Sequence, residues 1–249
     1  MPALSLVVIT LNAEQHLAAC LASARDIVQE ILVVDSGSTD RTVSIAESFG
    51  ARVLQQPFLG FRDQKQFAVD HARHDHILVM DADESLSPEL AASILTARDQ
   101  WTADAWIVNR LNHFAGRPVR HGGWYPDRIV RLFDRRACQY GPATIHESIH
   151  VAPHLRVGKL EGDLLHDAYR SREELFAKQR RYSRLAAAEL VRKGKTGSWI
   201  RVLAKPVYRF FKEYLLDRGF LDGRIGWTIA CSSAAYVYWR ELALHQSTH

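Results

Sequence analysis

Short apolar segments alternate with helical segments over the first hundred residues, and this alternation limits the fold more than any other feature. Apolar runs rich in β-branched residues and without clean alternation are typical of strands covered on both faces. Strands joined by short helical crossovers predict an α/β fold with a doubly wound, mostly parallel sheet. The predicted strands are 4–9, 31–34, 52–55 and 77–80, and the predicted helices are 14–25, 42–49, 61–72 and 88–98.

Polar turns follow three of the predicted strands, at residues 10–12, 35–40 and 81–84. Right-handed crossovers place the carboxyl ends of parallel strands at one edge of the sheet, where open α/β folds bind their ligands. The sequence therefore predicts that the three turns meet at that edge.

The third of these turns carries three acids, Asp81, Asp83 and Glu84, with Ala82 between the first two. Mg²⁺ is commonly held by one or two carboxylates together with substrate phosphates, so this turn suits a cation that carries a diphosphate. The same acids also fit a strand end that runs into a solvated turn before the next helix. Residues alone leave both interpretations open.

At these turns the sequence resembles the inverting family-2 glycosyltransferases of the GT-A fold. The motifs are Thr10-Leu11-Asn12, the run from Val33 to Asp40, and Asp81-Ala82-Asp83, in the family's order and at about its spacings. The resemblance covers residues 4 to about 150 and implies a nucleotide-sugar donor, Mg²⁺ or Mn²⁺ as cofactor, and Asp81 and Asp83 as metal ligands. The donor-binding residues that it implies are Thr10, Leu11, Asn12, Asp35, Ser36, Gln64, Lys65, Asp81 and Ala82. Many relatives have a second Asp where this chain has Ser36.

Further stretches are similar to the lipopolysaccharide inner-core glucosyltransferases (WaaE-like). They are Gly60-Phe61 with Gln64-Lys65, Arg131-Leu132-Phe133, Ile145-His146-Glu147, and a tail at 214–226 that contains Gly219-Phe220-Leu221-Asp222-Gly223. This similarity implies UDP-glucose as the donor and an inner-core heptose of lipid-anchored lipopolysaccharide as the acceptor. Another cell-envelope glycan or lipid-linked acceptor is the alternative.

An inverting transfer needs a general base for the acceptor hydroxyl. Glu147 is the candidate, and Asp127, in a Gly-rich loop, is the alternative; a merely exposed acid at 147 is the third interpretation. The segment His146-Glu147-Ser148-Ile149-His150 also matches the HExxH pattern of zinc proteases, which requires one helix to carry both histidines. Because β-branched residues occupy this segment and Pro142 and Pro153 flank it, we expect no helix there.

Four polar side chains each allow two interpretations. Gln64 and Lys65, early in the helix predicted at 61–72, fit either a solvated face or contact with the donor. Arg128 and Arg131 fit either a phosphate or water.

The last third of the chain is basic and helical in pattern, with helices predicted at 173–192 and 198–216. Residues 168–224 hold 15 Lys or Arg against 6 Asp or Glu, which favours an anionic partner. Three interpretations fit: solvated faces, an anionic membrane surface entered by aromatic side chains, or nucleic acid, for which no recognised module is present. We predict a GT-A domain at 1–165 and a basic amphipathic helical extension at 166–249 that contacts an anionic membrane, with no nucleic acid partner.

Cysteine usage and the apolar segments bear on location. The three cysteines are scattered and odd in number, which favours a reducing compartment over a disulfide framework. Residues 1–11 lack the basic start of a secretory signal, and the uncharged stretch 225–239 is short and polar for a membrane span. We therefore expect a cytoplasmic protein, peripheral on the inner face of the cytoplasmic membrane.

Overall fold

A computed structural model describes residues 2–141 and 148–248 of the chain. The fold forms two compact units. The first unit contains Met1–Arg110 and Asp127–His166, and the second contains Leu111–Pro126 and Asp167–His249. The segment 111–126 thus belongs with the C-terminal residues although it lies in the middle of the sequence.

The main sheet has nine strands among the described residues. Its members are β1 (Leu4–Thr10), β2 (Glu30–Asp35), β3 (Arg52–Gln55), β4 (His76–Asp81), β5 (Glu84–Leu86), β6 (Ala105–Phe114), β7 (Arg117–Pro118), β8 (Asp127–Asp134) and β11 (Val157–Tyr169). They are ordered β3-β2-β1-β4-β8-β6-β11-β5, and β7 pairs with β6. Two short strands, β9 (Gln139–Tyr140) and β10 (Ile149–His150), pair separately.

The first four strands of this order are parallel, as predicted. β1 lies between β2 and β4, with Thr10 level with Asp35 and Ile9 level with Asp81. Beyond β4 the pairing becomes antiparallel, since β8 runs against both β4 and β6. The α/β prediction is confirmed, and the antiparallel strands complete the sheet on one side.

Helices cover both faces of the parallel strands because alternate side chains of each strand point to opposite faces. Leu6 and Val8 of β1 belong to one buried cluster, and Val7 belongs to another. The first cluster includes residues of α1 (Leu17–Ala24), α2 (Thr42–Ser48) and α4 (Pro88–Gln100), and the second includes residues of α3 (Phe61–His71).

The sequence also predicts strands at 105–111 and 128–133, which correspond to β6 and β8, whereas β5, β7, β9 and β11 have no predicted counterpart. β5 has three residues, and β11 mixes charged and apolar residues without the alternation that predicts a strand. Gly162 of β11 has a φ of +84°, and an added Cβ would lie 2.3 Å from the backbone nitrogen of Leu90, so glycine is required at this approach to α4. The predicted boundary at 165/166 falls within β11, and the division into two independent domains stays a prediction.

The second unit is built on three helices, α5 (Arg172–Arg192), α6 (Trp199–Phe211) and α7 (Gly223–Thr248). Phe114, Val119, Leu175 and Ile229 form its buried apolar cluster. The helix predicted at 198–216 ends as an α-helix at Phe211, continues as a π-helical turn, Lys212–Leu216, and is followed by a 3₁₀ turn, Gly219–Asp222. Of the helices described here, none is both long and apolar enough to cross a bilayer.

Candidate functional site

The predicted edge of the sheet is built around the buried carboxylate of Asp35, at the end of β2. Its Oδ1 accepts hydrogen bonds from the Thr10 hydroxyl at 2.9 Å and from the Ser38 hydroxyl. Its Oδ2 accepts from the backbone N–H groups of Gly37 at 3.0 Å and Ser38 at 2.8 Å. Asp35 therefore shapes the turn that follows its own strand, and Gly37, with a φ of +93°, closes that turn.

Asn12 joins the first turn to the second. Its backbone N–H donates to the Ser38 hydroxyl at 2.8 Å, and its side-chain oxygen accepts from the N–H of Thr39 at 2.9 Å. Leu11, between these anchored residues, is 57% exposed. The turn thus presents an apolar side chain to solvent from a backbone that is held in place.

Gln64 lies beneath the second turn rather than on a solvated helix face. Its side chain is buried and donates to the Ser36 hydroxyl and to the Gln56 carbonyl, both at 3.1 Å, and it accepts from the N–H of Leu59 at 3.2 Å. Gln64 therefore positions the Ser36 hydroxyl.

Asp81, at the end of β4, is held between two cationic side chains. Lys65 Nζ lies 2.7 Å from its Oδ1, and Arg131 Nη2 lies 2.7 Å from its Oδ2. Both cationic side chains are nearly buried, since Lys65 is 6% and Arg131 is 7% exposed. Neither of them faces water, so the solvated interpretations of Lys65 and Arg131 are wrong.

The same guanidinium also binds Glu84, and a chain of alternating charges continues from there. Arg131 donates to Glu84 Oε1, and Arg110 Nη1 lies 3.6 Å from that oxygen. Arg110 also donates from Nε at 2.9 Å and from Nη2 at 2.7 Å to Asp127 Oδ2. Six side chains, from Lys65 to Asp127, are thus connected by close contacts of opposite charge.

Burial and neighbouring charges move the pKa values of the two acids in opposite directions. Burial raises the pKa of Asp81, but the charges of Arg131 and then Lys65 lower it by more than burial raises it. The resulting pKa is well below the usual range. Burial raises the pKa of Glu84; Arg131 opposes this, and the charge of Asp81 adds to it, so its pKa is raised. Asp81 is therefore the more readily ionised of the two acids.

Asp83 lies apart from this chain of charges, with its side chain 42% exposed. His166 Nε2 is 3.5 Å from Asp83 Oδ2, and His166 is level with Glu84 in the pairing of β11 with β5. Burial raises the pKa of Asp83, but the hydrogen bond and charge of His166 lower it below its usual value.

The donors present fit a divalent cation that shares its coordination with a substrate. No group of three or more His, Cys, Asp or Glu side chains in the described part of the chain is arranged to hold a metal. A carboxylate and an imidazole 3.5 Å apart supply two ligands of suitable chemistry, and Mg²⁺ or Mn²⁺ usually completes its shell with phosphate oxygens and water.

A cleft of about 460 Å³ opens beside these residues. Lys65, Asp81, Arg110, Asp127 and Arg131 line it, and so does Arg128, whose side chain is exposed, unlike that of Arg131. Tyr140, Ser148 and Ile149 complete one wall. Glu147, the first candidate for the base, lies outside the described residues, although the residue after it lines the cleft.

The protease interpretation fails at His150. This histidine lies in strand β10, level with Gln139 of β9, so it cannot occupy the helical i+4 position that a shared zinc requires. His146 lies outside the described residues.

Three residues of the site have little or no sequence signal. Arg110 reaches Asp127 because antiparallel pairing of β6 and β8 sets the two opposite each other. Arg131 has the resembling Arg-Leu-Phe stretch as its signal, and His166 lies on the strand that no pattern predicts. Ala82 packs at the margin of the first apolar cluster.

A sheet of this kind, with strand-end acids facing a cleft, is the GT-A fold of glycosyltransferases. A mannosyltransferase from Pyrobaculum calidifontis, solved in complex with GDP-Man and Mn²⁺, aligns with a TM-score of 0.56 at 16% identity. The alignment covers 97% of this chain and 86% of that one.

Sequence comparison identifies the family. Residues 5–152, more than half of the chain, match the model described as glycosyl transferase family 2, and the chain belongs to that family. An uncharacterized glycosyltransferase of Rickettsia bellii is 32% identical over 88% of this chain and 78% of its own length. The lipopolysaccharide core biosynthesis glycosyltransferase LpsC of Rhizobium meliloti is 30% identical over 95% of this chain and 92% of its own length.

We expect Asp35→Asn to lower the free energy of unfolding by about 2 kcal/mol at neutral pH, because an amide cannot replace all four hydrogen bonds. Burial raises the pKa of Asp35, and the bonds from Ser38, Thr10 and Gly37 lower it below its usual value. Its contribution is therefore full above about pH 4, the unfolded-state pKa, and is lost as the pH falls through the lower folded-state pKa.

The measurement is urea unfolding of the wild type and the variant from neutral to acidic pH. The difference in the free energy of unfolding between the wild type and Asp35→Asn should become smaller as the pH falls. The control Asp26→Asn, at an exposed position, should have a free energy of unfolding close to that of the wild type at every pH. A difference for Asp35→Asn that does not change with pH would contradict the assigned hydrogen bonds.

Proposed function

We propose that this protein transfers glucose from UDP-glucose to a heptose of the lipopolysaccharide inner core, with inversion and with Mg²⁺ or Mn²⁺ as cofactor. The observation that carries the proposal is the similarity to LpsC, whose name assigns it to lipopolysaccharide core biosynthesis and which aligns over nearly its whole length. Family-2 membership supports the transfer chemistry. The alternative is that the acceptor is another cell-envelope glycan or another lipid-linked molecule, and an acceptor assay distinguishes the two.

Donor binding is proposed at the edge formed by the first two turns and the cleft. Leu11 is exposed there and Ser36 is held by Gln64, so an exposed apolar side chain and an oriented hydroxyl are offered to a nucleotide. Thr10, Asn12 and Asp35 hold the two turns together. Lys65 and Ala82 flank Asp81, whose carboxylate lines the cleft that would receive the diphosphate.

The metal is proposed at Asp83, with Asp81 and His166 as neighbours able to contribute ligands. A divalent cation there supplies Lewis-acid stabilisation of the diphosphate leaving group. Lys65, Arg110 and Arg131 are paired with acids of the site, whereas the exposed Arg128 adds positive charge at the cleft, which favours an anionic substrate. Binding both substrates beside the same strand ends supplies their orientation.

Two carboxylates remain candidates for the general base. Both contacts from Arg110 fall on Asp127 Oδ2, so Oδ1 takes no part in that ion pair, and Asp127 lines the cleft. Glu147 precedes Ser148, which also lines the cleft. We propose Glu147 as the base and Asp127 as a residue that binds Arg110 and orients it.

A lipid-anchored acceptor would place the enzyme at the membrane. We propose that it acts in the cytoplasm, peripherally on the inner face of the cytoplasmic membrane, where a nucleotide sugar and a growing lipopolysaccharide core would meet.

UDP-glucose with Mn²⁺ should stabilise the protein more than other UDP-sugars or GDP-sugars. A ligand at about 100 times its dissociation constant adds about 2.7 kcal/mol, so the melting temperature should rise on the order of 5 °C. Thermal unfolding across a panel of nucleotide sugars measures this, followed by transfer to purified core acceptors with and without heptose. A larger shift with GDP-sugars would refute the donor.

Asp83→Ala should abolish metal-dependent transfer, with activity falling about a hundredfold or more, because several kcal/mol of leaving-group stabilisation are lost. The variant should also lose the stabilisation by Mn²⁺ plus UDP in thermal unfolding, a readout that needs no acceptor. Asp26→Ala, which removes an exposed acid elsewhere, should retain both properties. Full activity in Asp83→Ala would refute the metal site.

Glu147→Gln should slow transfer by roughly 10²- to 10⁴-fold, the usual range for losing a general base, while donor affinity stays unchanged. Steady-state rates together with UDP titration separate the two effects. Asp127→Asn should weaken transfer less, since its proposed role is to orient Arg110. If Glu147→Gln remains active and Asp127→Asn does not, the two assignments are reversed.

A further inference from the structure

One face of α6 exposes large apolar side chains that nothing in the second unit covers. Ile200, Leu203, Val207 and Phe211 are three or four residues apart, so they lie on one side of the helix. Ile200 is 78% and Leu203 is 67% exposed, and the other two are more than half exposed. Val202, on another side of the helix, is buried. A contiguous apolar stripe of this kind marks an interaction surface.

Basic residues border that stripe. Arg201, Lys205 and Arg209 fall on an adjacent side of α6, and the helix contains no acidic residue. Lys205 pairs with Glu241 at 2.8 Å and Arg209 with Glu213 at 3.2 Å, yet both basic side chains remain 44% exposed. An apolar side next to a cationic side is the pattern of a helix that lies in a membrane interface.

The apolar surface continues past the end of α6. Leu215 and Leu216 of the π-helical turn are exposed, and so are Phe220 and Leu221 of the following 3₁₀ turn. Phe210 and Tyr214 connect these turns to α7, because their rings lie 5.0 and 5.3 Å from that of Trp227, which is itself half exposed. The surface is therefore a continuous part of a packed unit.

Charge is divided unequally between the two units. The second unit holds 18 Lys or Arg against 8 Asp or Glu, a formal charge of +10, whereas the first holds 14 against 20, a charge of −6. A surface on so cationic a unit attracts anionic partners and repels a second copy of itself.

We propose that the apolar side of α6 inserts into the interface of an anionic lipid bilayer, with its basic side against the headgroups. The inference deepens the proposed peripheral location and rests on that proposal for the membrane concerned. The 13 residues of α6 span roughly 20 Å, too short to cross a bilayer but suited to lying in its plane. The two most exposed side chains of the stripe, Ile200 and Leu203, are aliphatic and offer no stacking surface to nucleic acid bases, which favours lipid.

The test is flotation of the full-length protein with vesicles of phosphatidylglycerol mixed with phosphatidylcholine, and with vesicles of phosphatidylcholine alone. The wild type should float with the anionic vesicles and bind the neutral ones far more weakly. Ile200→Asn/Leu203→Asn should weaken binding to the anionic vesicles about tenfold or more, since two apolar side chains no longer enter the lipid.

The matched control is Leu185→Asn/Val191→Asn, which removes exposed apolar side chains from α5 and should bind as the wild type does. Circular dichroism checks that both variants keep their helices. Bromine-labelled lipids should quench Trp199 at the start of α6, and Trp199→Phe should reduce the quenching of the protein's fluorescence, with Trp227 accounting for the remainder.

Several results would overturn the inference. One is wild-type protein that fails to bind anionic vesicles, and another is an α6 variant that binds them as tightly as the wild type. Dimers in analytical ultracentrifugation that Ile200→Asn/Leu203→Asn dissociates would assign the surface to a second copy. RNA binding that the same variant abolishes would assign it to nucleic acid.

Transferase activity on a soluble core oligosaccharide separates this inference from the proposed function. The α6 variant should keep that activity while losing vesicle binding. Wild-type protein that floats with vesicles but transfers no sugar would refute the function alone. Variant protein that transfers sugar and still floats would refute the role of α6 alone.

Discussion

The site depends on one buried guanidinium. Arg131 lies between Asp81 and Glu84, and without it two carboxylates would share a nearly buried space with too little compensating charge. Removing one partner of a buried ion pair is strongly destabilising, typically by 3–5 kcal/mol. Because Arg131 comes from β8 and the two acids lie at the end of β4 and in β5, this contact joins the antiparallel strands to the parallel ones at the point where the cleft opens.

Much of the parallel part of the sheet could be predicted from the sequence, because each element there has a local cause. β3 begins and ends at the predicted residues, β1 is one residue longer at its end, and β2 and β4 are one residue longer at each end. Strand ends determine where the polar turns lie, so the contact of Thr10 with Asp35 follows from knowing that β1 and β2 are parallel neighbours.

The positions of the other site residues depend on pairing between strands that are distant in the sequence, which no local sequence pattern predicts. Arg110 and Asp127 meet only because β6 and β8 pair antiparallel in one particular register. His166 lies on β11, which is a strand because it pairs with β5 and not because its own sequence has a strand pattern. The sequence predicts Gln64 either on a solvated helix face or in contact with the donor, yet α3 turns it inward beneath Ser36. Periodicity identifies which residues are near a strand end but not which of them point into the sheet.

The turn around Asp35 has a consequence for how tightly a nucleotide can bind. With its carboxylate oxygens already accepting four hydrogen bonds and Asn12 fastening the neighbouring turn, the backbone there is ordered before any ligand arrives. Binding of the proposed donor at this turn would therefore lose little conformational entropy of the protein. Because Leu11 is exposed on this held turn, a substitution there would change the surface offered to the proposed donor without removing the hydrogen bonds that order the loop.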